Sequence, residues 1–182
     1  TQHRNFGWKH RNLDEHTLKQ SKKFRETKFL CLVRNPYQWL ISMRRRPYGL
    51  GVPPGADWAQ FLSFSWNSKS YDAKPQVHYN TPVDLWNIKV ANAMKFCEAN
   101  SNALLLRYED FLEDHDAVTI RLAKFLGTQQ KGPWTPIEDP TKPGDSQSLA
   151  SYRQSYLDQE WVNNIPREFC SQINNDLDRE LC

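Results

Sequence analysis

Residues 29–33, FLCLV, are five consecutive apolar or thiol side chains that run without a break into Arg34-Asn35-Pro36. A strand with no polar alternation has no solvent face, which is the pattern of a parallel sheet covered by helices on both sides. Pro36 suits the first helical position, where its missing N–H costs nothing, and Asn35 suits the cap just before it. The strand is therefore expected to end at Arg34 and a helix to start at once. An arginine is placed where a buried strand stops.

The flanking segments extend this into an alternating chain. Asn5 to His10 reads as the last part of a strand, and Asp14 to Phe24 as a surface helix with Lys19, Lys22 and Lys23 in its later turns. Strand, helix, strand in this order is a βαβ unit. After the helix from Pro36, the stretch Pro47 to Gly55 is a breaker, and Asp57 to Trp66 reads as an amphipathic helix. Residues 67–82 read as loop, and Val83 to Asn100 as a long helix. ALLLRY, Ala103 to Tyr108, is a second apolar strand, followed by a helix from Asp116 to Leu126 that Gly127 closes. Residues 128–147 hold four of the 11 prolines and read as loop. Helical segments around Leu149 to Trp161 and Arg167 to Leu181 finish the chain. The expectation is a single α/β domain over residues 1–182, a parallel sheet flanked by helices.

Composition narrows the ligand. The chain has 182 residues, 24 basic against 21 acidic, for a net charge of +3. That balance gives no footprint for a long nucleic acid, so anion recognition must come from locally placed Lys and Arg, and a small phosphorylated ligand fits better. Cys31, Cys97, Cys170 and Cys182 have no C-x-x-C or zinc spacing, which favours free thiols and a cytoplasmic location, the Golgi lumen being the other compartment considered. No stretch approaches the length of a membrane span. The Arg44-Arg45-Arg46 run at a helix end reads as a solvated face that complements the helix dipole. Trp39, Trp58, Trp66 and Trp86 stand at helical spacing with other apolar residues and read as core, whereas Trp8 and Trp134 are freer to meet a ligand.

Ligands of open parallel sheets bind beyond the carboxyl ends of the strands. The three apolar strands exit into Trp8-Lys9-His10, Arg34-Asn35-Pro36 and Arg107-Tyr108-Glu109-Asp110. Together these supply a base, cations, a phenol and carboxylates. Arg34-Asn35-Pro36 with Ser42 eight positions after the arginine, preceded by Lys9-His10 and followed by Tyr108-Glu109-Asp110, resembles the sulfotransferases that use 3′-phosphoadenosine-5′-phosphosulfate (PAPS). The stretch RYEDFLEDHDAVTIRLAKFLG, residues 107–127, is similar to the same family's segment after that strand.

The resemblance implies a P-loop NTPase-like fold, PAPS as donor with the 3′,5′-bisphosphate (PAP) as product, and no metal. It implies that Arg34 and Ser42 hold the 3′-phosphate and that Tyr108 approaches the adenine or ribose. A second grip on that phosphate would come from Lys131-Gly132 or from the Tyr152-Arg153 segment, Arg153 being the cation of the latter. The family's glycine-containing loop around the 5′-phosphosulfate precedes its Lys-His strand and has no match in these residues, so an N-terminally incomplete domain is expected.

Sulfuryl transfer puts negative charge on the departing phosphate oxygen while the acceptor loses a proton, so it needs cations at one end and a base at the other. His10, with an ordinary pKa near 6.5, suits the base, and Lys9 suits the charge. Adjacent strand residues point to opposite faces, so both serve only where the strand turns at its end. The acceptor is expected to be the hydroxyl or amine of a small molecule or carbohydrate, met by residues 47–82. Two other readings stand beside this one. The chain could be a catalytically inactive sulfotransferase-like domain that binds nucleotide or protein, or a kinase of related topology, although no Walker-type Gly-Lys-Ser/Thr is visible.

Overall fold

The computed structural model describes residues 11–13, 18–19, 23–47, 51–53, 55–69, 76–129, 132 and 148–181. Among these residues the chain is a helix-rich α/β fold with a small parallel sheet. Strand β1 is Phe29–Val33, and helix α1, Pro36–Arg45, follows directly. Next come the short helix α2, Trp58–Leu62, the two-residue strands β2, Trp66–Asn67, and β3, His78–Tyr79, and the long helix α3, Pro82–Ala99. Strand β4, Ala103–Arg107, leads into α4, Tyr108–Glu113, and α5, His115–Leu126. Helices α6, Leu149–Leu157, and α7, Arg167–Asp176, end the order, with 3₁₀ turns at Phe24–Glu26, Glu160–Asn164 and Arg179–Leu181. The expected strand over Asn5 to His10 lies outside the described residues.

β1 and β4 pair in parallel, from Phe29 opposite Ala103 to Val33 opposite Arg107. Helix α3 covers one face: Phe96 packs with Phe24, Cys31 and the buried Leu18, and Phe29, Ala103 and Leu105 close the same cluster. The rings of Phe24, Phe29 and Phe96 meet at 5.2–6.3 Å between centroids, separations at which tilted and edge-on contacts are favourable. A second, larger core holds Leu40 of α1, Trp58, Phe61 and Leu62 of α2, Val83, Trp86 and Val90 of α3, and Ile173 of α7.

Among the described residues the second sheet face is covered unevenly: Leu106 of β4, which is opposite Leu32 on that face, is 9% exposed, whereas the β1 side chains beside it are not covered. Leu30 is 48% exposed and Leu32 64% exposed. Strand side chains alternate faces, so the face with Phe29 and Cys31 is packed while Leu30 and Leu32 stand on the other. A continuous apolar run has no period to tell which face will be covered, so this difference was not readable from FLCLV.

Helix boundaries differ where capping overrides periodicity. Asp57 caps α2 in a capping box with Gln60, as expected of its start, but the helix stops at Leu62 rather than Trp66. Ser63 Oγ donates back to the carbonyls of Ala59 and Gln60, satisfying groups that another turn would have used. Trp66 pairs instead with Tyr79 across an antiparallel ribbon, ring to ring at 5.4 Å. Part of the segment read as loop is thus β3. Buried Ser68 ties the ribbon, its Oγ accepting from Val77 N–H.

Thr81 caps α3 with Pro82 in the first turn, and Gly127 closes α5 in the left-handed region at φ 69°. Helix α6 ends at Leu157, short of Trp161, and Gln159 then takes φ 57°, which no continuing helix permits. Leu177 is extended and ends α7 before Leu181, yet Ile173 and Leu177 are buried as their spacing predicts. Of the expected helix over Asp14 to Phe24, Leu18 and Lys19 are helical, while Phe24 belongs to a 3₁₀ turn. No helix among the described residues is long and apolar enough to cross a membrane.

Two measurements check this packing. Leu40 is 0% exposed, so Leu40→Ala is expected to lower unfolding free energy by about 2–5 kcal/mol in urea titration. Leu32→Thr, at a position 64% exposed, is expected to change it by less than about 0.5 kcal/mol; a large loss there would mean that the β1 edge of this face is covered. Burial, reinforced by the adjacent Cys97, pushes the Cys31 thiol up to about 12. Cys31 is therefore expected to react with iodoacetamide at pH 8 about a thousandfold more slowly than an exposed cysteine, read by peptide mass mapping.

Candidate anion-binding site

The register of the parallel pair builds the site. Val33 is opposite Arg107, so the next residues, Arg34 and Tyr108, emerge side by side at the carboxyl ends of both strands. Three contacts fix the turn that carries Arg34. The Trp86 indole Nε1 of α3 donates to the Arg34 carbonyl at 3.0 Å. Glu109 Oε1 of α4 accepts from Asn35 N–H at 2.9 Å. Asn35 Oδ1 accepts from Tyr37 N–H at 3.0 Å, and more weakly from Gln38 N–H at 3.4 Å, capping α1 as its position predicts.

The guanidinium of Arg34 lies against aromatic faces, 4.8 Å from the Tyr156 ring centroid and 5.8 Å from that of Tyr108. Those two rings meet at 5.1 Å, and Tyr152 meets Tyr156 in a tilted contact at 6.3 Å. Burial lowers the Arg34 pKa from its ordinary value, opposed by Tyr108, Glu109 and Tyr152. An arginine remains charged under such a shift, so the site holds a partly desolvated cation. Two of its polar atoms are buried without a hydrogen-bond partner, Arg34 Nε and Glu109 Oε2. A donor and an acceptor without partners make this turn a desolvated polar spot, which native structures seldom tolerate without a reason.

Helix α6 is held to α1 by Gln38, whose buried side chain donates through Nε2 to the Ser155 carbonyl at 3.1 Å. Ser42 is one helical turn beyond Gln38, so Gln38 stands between Ser42 and the Arg34 end of α1 on the same face. The structure thus brings Arg34 and Tyr108 together directly and puts half-buried Ser42 further along the helix surface. Arg153 is engaged elsewhere: its Nη2 donates to the Glu113 carbonyl at 3.1 Å, at the opposite end of α4 from Tyr108. Lys9, His10 and Lys131 lie outside the described residues.

Sequence reasoning missed Tyr156, and it placed Glu109 at a strand exit without its bond to Asn35 N–H. The four-residue spacing of Tyr152 and Tyr156 was the available signal, since it puts both phenols on one face of a helix. Arg44 of the basic run is structural, donating to the Ala56 carbonyl at 2.8 Å and lying over Trp58, while Arg45 and Arg46 are exposed. Trp58 and Trp86 are core residues, as their spacing predicts. A hollow beside β4, lined by Met94, Cys97, Glu98 and Arg121 among others, shares no residue with the Arg34 group.

With this geometry established, comparison with known proteins is informative. A family model of the sulfotransferase domain matches residues 9–168. The chain belongs to the sulfotransferase family. Neither a curated protein nor a solved structure gives a match. The matched span of this sulfotransferase domain includes β1, β4 and the residues around Arg34, and the family match supports sulfotransfer in general.

The anchoring of Arg34 in the sulfotransferase domain has a direct test. Trp86→Phe leaves the ring but removes the donor to the Arg34 carbonyl, and is expected to cost about 1–3 kcal/mol of stability. Asn35→Ala removes the α1 cap and is expected to cost about 1 kcal/mol. Both are read by chemical denaturation, and a neutral outcome for Trp86→Phe would mean that this bond does not hold the turn.

Proposed function

We propose that the chain is a PAPS-dependent sulfotransferase domain, a single unit of P-loop NTPase-like topology, transferring a sulfuryl group to a hydroxyl or amine of a small molecule or carbohydrate. The observation that carries this reading is half-buried Arg34, its Nε buried and unpartnered, where parallel strands end in a chain of the sulfotransferase family. An always-charged, planar donor group is suited to a phosphate.

In this reading Arg34 and Ser42 hold the 3′-phosphate of the donor, and Tyr108 flanks the nucleoside. Arg153 is a second cation for that phosphate, which requires it to leave the Glu113 carbonyl. PAPS supplies an activated sulfuryl group whose leaving group is a phosphate. His10 takes the acceptor proton as the new bond to sulfur forms, and Lys9 stabilises the charge that collects on the phosphate oxygen as the old bond breaks. The segment 47–82 meets the acceptor, because a variable connection on a fixed scaffold can change specificity without disturbing the phosphate grip.

Titration calorimetry with PAP tests the assignment. Arg34→Ala is expected to weaken binding about 10- to 100-fold and Ser42→Ala about 3- to 10-fold. His10→Ala is expected to leave PAP affinity unchanged and to slow sulfuryl transfer from PAPS about 10²- to 10⁴-fold. Equal PAP affinity in the wild type, Arg34→Ala and Ser42→Ala would overturn the phosphate site. PAP binding without transfer to any phenol, sugar or amine would favour the non-catalytic nucleotide-binding reading.

A further inference from the structure

The chain that follows Lys9-His10 is tied down by two side chains, 79 and 67 residues away in sequence. Asn92 of α3 takes both backbone groups of Leu13: its Oδ1 accepts from Leu13 N–H, and its Nδ2 donates to the Leu13 carbonyl at 2.9 Å. One amide thus bonds Leu13 as a neighbouring strand would, which fixes the orientation of the backbone as well as its place. Asn12 Nδ2 donates to the phenol oxygen of Tyr79 at 3.1 Å. Tyr79 is 0% exposed and its ring lies against Trp66 at 5.4 Å, so this second tie ends in the packed ribbon of β2 and β3. Leu13 itself packs on the cluster around Phe24 and Phe96.

Covalent geometry carries these ties toward the histidine. Consecutive Cα atoms are about 3.8 Å apart, so the His10 Cα is within roughly 7 Å of that of Asn12 and roughly 11 Å of that of Leu13. The same helix holds the other half of the proposed chemistry: Trp86, six positions before Asn92, donates to the Arg34 carbonyl. Six positions are about 9 Å along a helix axis. Helix α3 therefore holds both the residue that grips phosphate and the chain next to the base. A general base works only within hydrogen-bond reach of the proton it takes, and a misplacement of about 1 Å can cost about 100-fold in rate. We infer that Asn92 is a positioning residue for His10, setting the base relative to the donor through the backbone of Leu13, with Tyr79 as a second anchor through Asn12. This rests on the reading of His10 as the base.

Double-mutant kinetics of sulfuryl transfer on the full chain test this, with PAP titration as the control. Asn92→Ala is expected to lower kcat about 10- to 100-fold while the KM for PAPS and the PAP affinity stay within about twofold. In the His10→Ala background the same change is expected to slow turnover less than about twofold, because no base is left to misplace. Asn92→Asp keeps an acceptor for Leu13 N–H and is expected to recover part of the loss. Tyr79→Phe keeps the buried ring, so it tests the second anchor even where Asn92→Ala does not fold. It is expected to lower kcat about 3- to 10-fold, again only while His10 is present. Equal losses with and without His10 would mean that these residues only support the fold, and would overturn the inference. Full activity of Asn92→Ala and Tyr79→Phe beside a slow His10→Ala would also overturn it and leave the base standing. No effect of His10→Ala on kcat, or no transfer by the wild type, would overturn the base and this inference together.

Discussion

The parallel pairing of Phe29–Val33 with Ala103–Arg107 is the contact on which the rest of the site depends. Because Val33 is opposite Arg107, the two chains leave the sheet at the same level, and their next residues are the arginine and the tyrosine that face each other. A one-residue slip would turn every side chain of the strand to the opposite face. Phe29 and Cys31 would then lose the α3 face, and the step from strand to helix would no longer meet Glu109. Core packing and site geometry are consequences of one register.

Around that pair, two of the bonds that hold the turn come from distant parts of the chain. Trp86 is a core residue by burial, yet its indole N–H holds the carbonyl of Arg34. Gln38 is buried, and its amide ties α1 to the backbone of α6, the helix that brings Tyr156 against the guanidinium. The cation is thereby held out of bulk water by aromatic surface, where its attraction for an anion is screened less than at an exposed position. The same arrangement keeps the Glu109 carboxylate nearby without pairing it. Positive charge, its desolvation and a nearby acceptor are therefore set by four different elements.

Local signals were read correctly where neighbours in sequence do the work. Asn35 caps α1, Asp57 starts α2 and Gly127 closes α5, because each of these interactions closes within a few residues, while α3 starts at Pro82 under a Thr81 cap, one residue before the expected Val83. Trp66 shows where that reasoning fails. Its spacing suited another turn of helix, but Ser63 took the terminal carbonyls and Tyr79 offered a ring across a ribbon. Leu30 and Leu32 fail for a related reason: a run of apolar residues specifies strand but carries no instruction about which face a helix will cover.

The sequence by itself determined the step from strand to helix at Arg34-Asn35-Pro36, because strand hydrophobicity, a capping amide and a proline act over a few bonds. It also determined the order of charged and aromatic strand exits that marks the family. Tertiary structure alone decided that Arg34 would lie against Tyr156, more than a hundred residues away, and that Glu109 would hold Asn35 with one oxygen and leave the other open. It decided too that Arg153 would bond the Glu113 carbonyl. Those outcomes depend on how α4 and α6 dock on the sheet ends, and docking is settled by long-range packing that no short window of sequence contains.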